Sequence, residues 1–405
     1  MSTPGHHTLR KVVVIGGGYA GTLAANHLRL RADVGITVVN PRPEFVERVR
    51  LHQFVAGTRE ATVDYGTLLG EGIRLVVDSA TRIDPTTRTV RLASGGALDY
   101  DYVIYAVGST GAIPSSVPGA AEFAYDLAEL EPARRLRARL EELPVDAPIT
   151  VVGGGLTGIE TAAELAEQGR AVTLVCGRAL APSFGASARR AVATWLSRHR
   201  VAVLEADAVR EVRPDAVVLA GGSAGGSAGG GVRASALTIW AGGFGVPRLA
   251  AASGLRTDAL GRLLTDETLT SVDDDRIVAT GDAAAPSGRP LRMSCYAAGP
   301  LGAQAADTVL SRIAGTEPAV ISLAFSGACV SLGRHTGIRQ LARKDDTAVN
   351  LYVGGRMGAA IKEVTCNFAV KRIRREARRP GSLIWVKGGP RPEQPAPAPR
   401  GVTKP

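Results

Sequence analysis

Two glycine triplets share one spacing, Gly16-x-Gly18-x-x-Gly21 and Gly153-x-Gly155-x-x-Gly158. In such a triplet the first glycine makes a strand-to-helix turn, the second lets a pyrophosphate approach the backbone, and the third lets helix and strand pack closely. The positive end of the following helix then holds the phosphates. Residues at the far strand ends complete each site. A dinucleotide site usually carries a carboxylate there for the ribose hydroxyls, but the first unit has Asn40, whose amide still accepts from and donates to hydroxyls. Arg42, two residues on, faces adenosine or phosphate on one reading and solvent on the other. The second unit has Cys176 and then Arg178. A carboxylate would repel a 2′-phosphate and an arginine attracts one, so the second site leans towards NADPH over NADH, unless Arg178 is an ordinary surface charge.

The elements that must position these groups follow from periodicity. Each triplet is preceded by a β-branched strand run, 11–15 or 149–152, and followed by helical spacing, with Ala20, Leu23, Ala24, His27 and Leu28 in the first unit. Second strands at 36–39 and 171–175 close the two units. Between them, 73–77, 89–92 and 102–106 read as strands, and 114–118 as a linker. The low-complexity run 221–231 reads as a flexible hairpin loop. Strands at 237–240 and 276–279 follow, the latter leading into Thr280-Gly281-Asp282, then a helix from about 297 to 313. From about residue 320 strands at 328–331 and 349–353 and a helix at 361–379 suggest a small C-terminal domain, with a Pro-rich, disordered tail from 390.

Composition narrows the class. At roughly 150 residues per domain, 405 residues make two or three domains. Net charge is +10, but residues 361–405 carry eleven Lys/Arg against three Asp/Glu, so the body is nearly neutral and a nucleic-acid partner is not expected. The four cysteines form no metal-ligand spacing, and no metal is expected. No apolar run has the length of a transmembrane helix and the first ten residues hold no signal-peptide core, making a cytoplasmic location the default.

The two fingerprints, the segment YDYVIYAVGS at 100–109, the strand TIWAGG at 238–243 and RIVATGD at 276–282 together resemble flavoproteins with two dinucleotide-binding domains. This is the pyridine nucleotide–disulfide oxidoreductase superfamily, and the chain is most similar in it to type II NADH dehydrogenases, over about residues 10–313. The resemblance implies an α/β fold of two Rossmann-like domains, the second inserted in the first, plus a small C-terminal α+β domain. The implied divisions are 1–116 with 262–320 for FAD, 117–261 for NAD(P)H, and 321–405. It implies FAD on the first fingerprint (Gly16, Gly18, Tyr19, Ala20, Gly21), with Asn40, Arg42, Ala80, Ala106 and Gly108 along the dinucleotide. Gly281 and Asp282 would meet the ribityl chain. Tyr296 and Ala297 would begin a helix whose positive end faces the flavin. Cys295 beside them either touches the flavin or is inert packing. NAD(P)H would lie on Gly153, Gly155, Thr157 and Gly158, near Arg178 and Gly242. Glu160 would reach its nicotinamide end, or else simply favour a helix N-terminus.

The helix at 19–30 holds no dithiol, which excludes the disulfide-reductase branch and sends electrons directly to a bound acceptor. By resemblance that acceptor is a quinone or quinone-like molecule, with Arg48 and His52 as candidates for acceptor contact or proton supply. A salt bridge for Arg48 and a satisfied buried imidazole for His52 are the plain alternatives. A tailoring flavoenzyme acting on aromatic molecules, and a flavin redox sensor with little turnover, are the competing functions. The basic helix at 361–379, with Ile361, Val364 and Phe368 as its apolar stripe, either lies on an anionic bilayer at the inner face of a membrane or packs on the body with a solvated charge face; the short stripe favours packing. A homodimer is compatible with all of these readings.

Overall fold

Burial explains the first strands. The run RKVVVI forms β1 (Arg10–Ile15), whose last four residues are all buried, the mark of a strand covered on both faces. The chain turns through the glycines into α1 (Tyr19–Leu28), returns as β2 (Val34–Asn40), and adds β3 (Ile73–Val77) and β4 (Tyr102–Tyr105). A second set of elements then interrupts the first sheet. It comprises β5 (Ala124–Asp126), α2 (Leu130–Glu142), β6 (Pro148–Val152), α3 (Leu156–Glu167), β7 (Ala171–Val175), β8 (Ala202–Leu204) and β9 (Leu237–Trp240). The chain next supplies β10 (Ile277–Ala279) and the long α4 (Cys295–Ala314). The C-terminal part has β11 (Gly327–Leu332), β12 (Thr336–Ala342), β13 (Ala348–Val353) and α5 (Gly355–Arg378). This computed structural model describes residues 9–221, 231–389 and 391.

The first sheet has the order β10-β4-β1-β2-β3, and every pairing in it is parallel. The second repeats the plan as β5-β9-β6-β7-β8, also parallel throughout. Two doubly wound units, the second inserted between β4 and β10 of the first, are therefore present as expected. The C-terminal sheet β11-β12-β13 is antiparallel. Its middle strand β12 was not anticipated.

Close approach fixes how the helices stack. A Cβ added to Gly302 on α4 would lie 2.3 Å from the carbonyl oxygen of Ala20, so glycine lets α4 rest directly on α1. α5 is longer than its sequence pattern suggested, and it packs by a different face. Cys366, Val370, Ile373 and Glu376 are buried, whereas Val364 and Phe368 of the expected apolar stripe are 59% and 50% exposed. The helix stops before Pro380-Gly381 as expected. Strands 216–219 and 232–234 pair antiparallel on either side of the glycine-rich run, whose residues 222–230 lie outside the described residues, as do 1–8, 390 and 392–405 of the termini. Arg391, in the tail expected to lack structure, is instead placed, its guanidinium bonded to Glu267 and to the Pro286 and Arg289 carbonyls.

Candidate functional site

The first fingerprint builds a cavity of about 520 Å³. Gly16 has φ +103°, and a Cβ there would lie 2.3 Å from the Ala106 carbonyl oxygen; a Cβ on Gly21 would lie 1.9 Å from that of Gly16. At Gly18 nothing lies within 4 Å, and this residue opens onto the cavity. Among the described residues no side chain caps the N-terminus of α1, which leaves its first N–H groups to meet an anion. Tyr19, Ala20, Ala80, Ala106, Gly108, Gly281 and Asp282 line the same space; Gly21 does not, and serves packing alone.

Two strand-end residues depart from expectation. The Asn40 amide braces the protein, its Oδ1 accepting from Gly17 N–H at 3.0 Å and its Nδ2 donating to the Arg42 carbonyl at 2.8 Å. The Arg42 guanidinium is neither solvated nor free: it grips Glu131 through two bonds of 2.7 and 2.6 Å and Glu129 at 3.0 Å, holding the Glu131 carboxyl down at about 2. Those two carboxylates reach the cavity from the second unit. Tyr65, which sequence reasoning missed, donates to the Gly17 carbonyl at 2.7 Å and locks the glycine turn.

Tyr19, Arg48, Ser109, Asp282, Ser294 and Cys295 line both this cavity and a second one of about 290 Å³. At that junction Arg48 donates to the Ser109 carbonyl at 2.7 Å and to the Ala128 carbonyl at 2.8 Å, and Ser109 Oγ donates to Asp282 at 2.7 Å. Arg48 thus ties the two units at the meeting point of their cavities, and its contact with Glu129 is only a long 3.9 Å. At the start of α4, Ser294 Oγ accepts from Ala297 N–H at 3.3 Å. Ala297 itself belongs to the core, and Ala298 rather than Ala297 lines the first cavity, while Tyr296 faces the second and donates to the Ala324 carbonyl at 3.0 Å.

The second fingerprint repeats the geometry of the first. A Cβ on Gly153 would meet Ala241 and Gly242 at 2.9 Å, one on Gly158 would lie 1.9 Å from the Gly153 carbonyl oxygen, and Gly155 is open. Thr157 and Glu160 line the second cavity together with His52, Lys362, Thr365 and Cys366. Gly242 stands just behind its wall, and Arg178 is exposed and lines neither cavity.

Glu160 is not a spare carboxylate. Its Oε1 accepts from Lys362 Nζ at 2.6 Å and from Ser331 N–H at 2.9 Å, and its Oε2 lies 3.8 Å from His52 Nδ1. Burial opposes the charge on Glu160, but the Lys362 ammonium and the Ser331 N–H outweigh it and hold the carboxyl below its ordinary range; Lys362 is correspondingly raised against burial by Glu160. Burial takes His52 down to about 4, so its ring is neutral, and Nε2 has no hydrogen-bond partner among the described residues. It is not the satisfied buried imidazole of the plain alternative. Lys362 was missed because α5 delivers it from a distant part of the chain, without a local motif.

Three cysteines that are far apart in sequence, Cys295, Cys329 and Cys366, also line this cavity. Burial pushes the Cys295 thiol up to about 12 and raises Cys366, which keeps both protonated and weakly nucleophilic. No group of metal-ligating side chains gathers among the described residues. A third cavity of about 250 Å³ adjoins at Tyr19, Cys295 and Tyr296 and is walled on the α5 side by Val364, Phe368 and Arg372.

Comparison with known proteins bears on this geometry. Residues 10–304 match the pyridine nucleotide-disulphide oxidoreductase family. An NADH dehydrogenase-like protein of Mycobacterium tuberculosis is 30% identical, over 75% of this chain and 80% of its own. The type II NADH:quinone oxidoreductase of Staphylococcus haemolyticus is 25% identical over 90% and 96%. Among solved structures, the sulfide:quinone oxidoreductase of Aquifex aeolicus superposes with a TM-score of 0.76 at 21% identity, covering 91% of this chain and 92% of its own.

Proposed function

Because the chain belongs to the pyridine nucleotide-disulphide oxidoreductase family, and is therefore an oxidoreductase working with FAD and NADH, we propose that it passes electrons from NAD(P)H to a quinone or quinone-like acceptor. The first cavity fits FAD on its own chemistry. The α1 N-terminus and open Gly18 suit a pyrophosphate, and Tyr19 Oη and Thr280 Oγ1 are buried in its wall with no partner among the described residues. Asp282 and Ala80 would hold the ribityl chain and the adenine. We read 1–116 with 262–320 as the domain around this cofactor, 117–261 as the nucleotide domain and 321–405 as the C-terminal domain. When bound, FAD accepts a hydride equivalent from the nicotinamide and supplies two electrons to the acceptor.

The protein's own part is positioning and proton supply. Gly153, Gly155, Thr157 and the uncapped start of α3 would seat the nucleotide's phosphates. Arg48 and Ser109 hold the junction where the two cavities meet, and this convergence is the observation that carries the proposal. Two-electron reduction of a quinone takes up two protons; the hydride equivalent brings one of them, and one more must be supplied at the site. The Lys362 ammonium, paired with Glu160 at the cavity wall, holds one proton there, and His52 Nε2 offers a neutral polar contact for the bound ligand. The third cavity, bounded by exposed Val364 and Phe368, gives an apolar acceptor a route in from the α5 surface.

α5 packs on the body, as the sequence favoured, but by another face than expected, and the apolar face it leaves exposed supports a peripheral contact with an anionic bilayer. Lys371, Arg374 and Arg375 flank it, and Ile384 and Val386 follow, 78% and 60% exposed. Among the described residues no helix is long and apolar enough to cross a membrane. The test is anaerobic reduction of purified protein by NADH, followed by reoxidation with quinones of graded tail length and with non-quinone aromatics. Fast reoxidation by quinones is expected. Flavin that bleaches but is reoxidised only by non-quinone aromatics would move the assignment to the tailoring reading.

A further inference from the structure

We propose that Glu205 takes over the ribose recognition absent at position 176 and makes the second nucleotide site selective for NADH over NADPH. The inference rests on reading that site as the pyridine nucleotide site. In a doubly wound sheet the adenosine ribose lies beyond the carboxyl end of the strand that follows the glycine turn and its helix, here β7. Cys176 at that end presents a thiol, a weak donor and weak acceptor for hydroxyls.

The neighbouring strand brings the missing group. β8 runs parallel to β7 with Leu204 opposite Val175, so residue 205 leaves its strand at the same edge. Backbone bonds lock both sides of it: Cys176 N–H donates to the Leu204 carbonyl at 2.9 Å, and Ala206 N–H donates to the Arg178 carbonyl at 3.1 Å. Between these anchors Glu205 Oε1 accepts from Leu180 N–H at 2.6 Å, which holds the carboxylate against loop 176–180. Beneath this loop lies the fingerprint itself. A Cβ on Gly154 would stand 2.8 Å from Cys176 Cβ, and Ala181 N–H donates to the Gly154 carbonyl at 2.8 Å. The carboxylate, its loop and the phosphate-binding turn are thus one connected unit. A carboxylate fixed there accepts from a 2′-hydroxyl and repels a 2′-phosphate. Arg178, exposed on the same loop, becomes attractive to that phosphate only once the negative charge is removed.

Equilibrium binding of ADP-ribose and 2′-phospho-ADP-ribose to the FAD-loaded protein, measured by calorimetry beside flavin bleaching by NADH and NADPH, tests this. The native protein is expected to bind ADP-ribose more tightly than its 2′-phosphate. Glu205→Gln, whose amide oxygen still accepts from Leu180 N–H, should shift the affinity ratio towards the phosphorylated ligand by about tenfold or more. Glu205→Asp should retain part of the preference, and adding Arg178→Ala to Glu205→Gln should remove the gain for the phosphate. An unchanged ratio in Glu205→Gln, or a native preference for the phosphorylated ligand, overturns the assignment. If neither ligand binds and neither nucleotide bleaches the flavin, the nucleotide-site reading itself fails, and the inference with it.

Discussion

The pair Glu160–Lys362 places two opposite charges, 2.6 Å apart, in a wall with almost no access to water. Such a pair is costly to break from one side, because the survivor is left charged and desolvated. Lys362→Met should therefore lower stability by roughly 3–5 kcal/mol, and Glu160→Gln in the same chain should recover much of it. Thermal unfolding of the two single variants and the double variant checks this; a double variant that loses the sum of the two single losses would mean that the pair is not coupled. Lys362→Met should also slow reoxidation by quinones more than reduction by NADH, which stopped-flow separates. The site residues were unequally legible. The glycines are local geometry and could be read directly, as could Asp282 at its strand end. Lys362, Tyr65 and Glu205 reach their places only through tertiary contact, and Asn40 and Arg42 were read for the right region but not for the partners that the fold gives them.

Three helices meet on one imidazole. His27 on α1 bonds to Glu376 on α5 at 2.6 Å and to Asp307 on α4 at 3.0 Å. Burial opposes its charge, but these carboxylates more than offset the penalty and raise its pKa from 6.5 to about 9. A raised value means that its stabilisation is full below pH 6.5 and is lost as pH climbs through about 9. His52, lowered by burial from 6.5 to about 4, acts in the other direction: its contribution is full above 6.5 and is lost as pH falls through about 4. Melting temperature against pH should therefore peak near neutrality. His27→Gln should flatten the alkaline limb, a term of roughly 3 kcal/mol, and leave the acid limb in place; an alkaline limb unchanged in that variant would contradict the account. The α1–α4 contact is as exacting. Gly302→Val drives a side chain into the Ala20 carbonyl and should cost about 1–3 kcal/mol in chemical denaturation. Strand and helix periods made these elements readable from the sequence, yet nothing local marked β12 or the face by which α5 packs, since both depend on which surfaces the finished sheets leave uncovered.

For the molecule as a whole, charge and exposed apolar surface coincide at the C-terminal end, while the rest of the chain is nearly balanced. Binding to vesicles containing anionic lipid should be strong at low salt and weaken above the screening range, and Phe368→Glu should reduce it at any salt. Co-sedimentation in which Phe368→Glu behaves like the native protein would remove α5 from the contact. The doubly wound plan was visible throughout because two fingerprints repeat it. The order of the pieces in space is what makes them one machine. Arg42 and Arg48 rise from the first unit to grasp Glu129, Glu131 and the Ala128 carbonyl of the second, so the seam between the halves is fastened at two points. A joint fastened in this way is expected to resist hinging: donor and pigment should find their spacing when the chain folds, and the rate of flavin reduction in the preformed complex should not change with solvent viscosity.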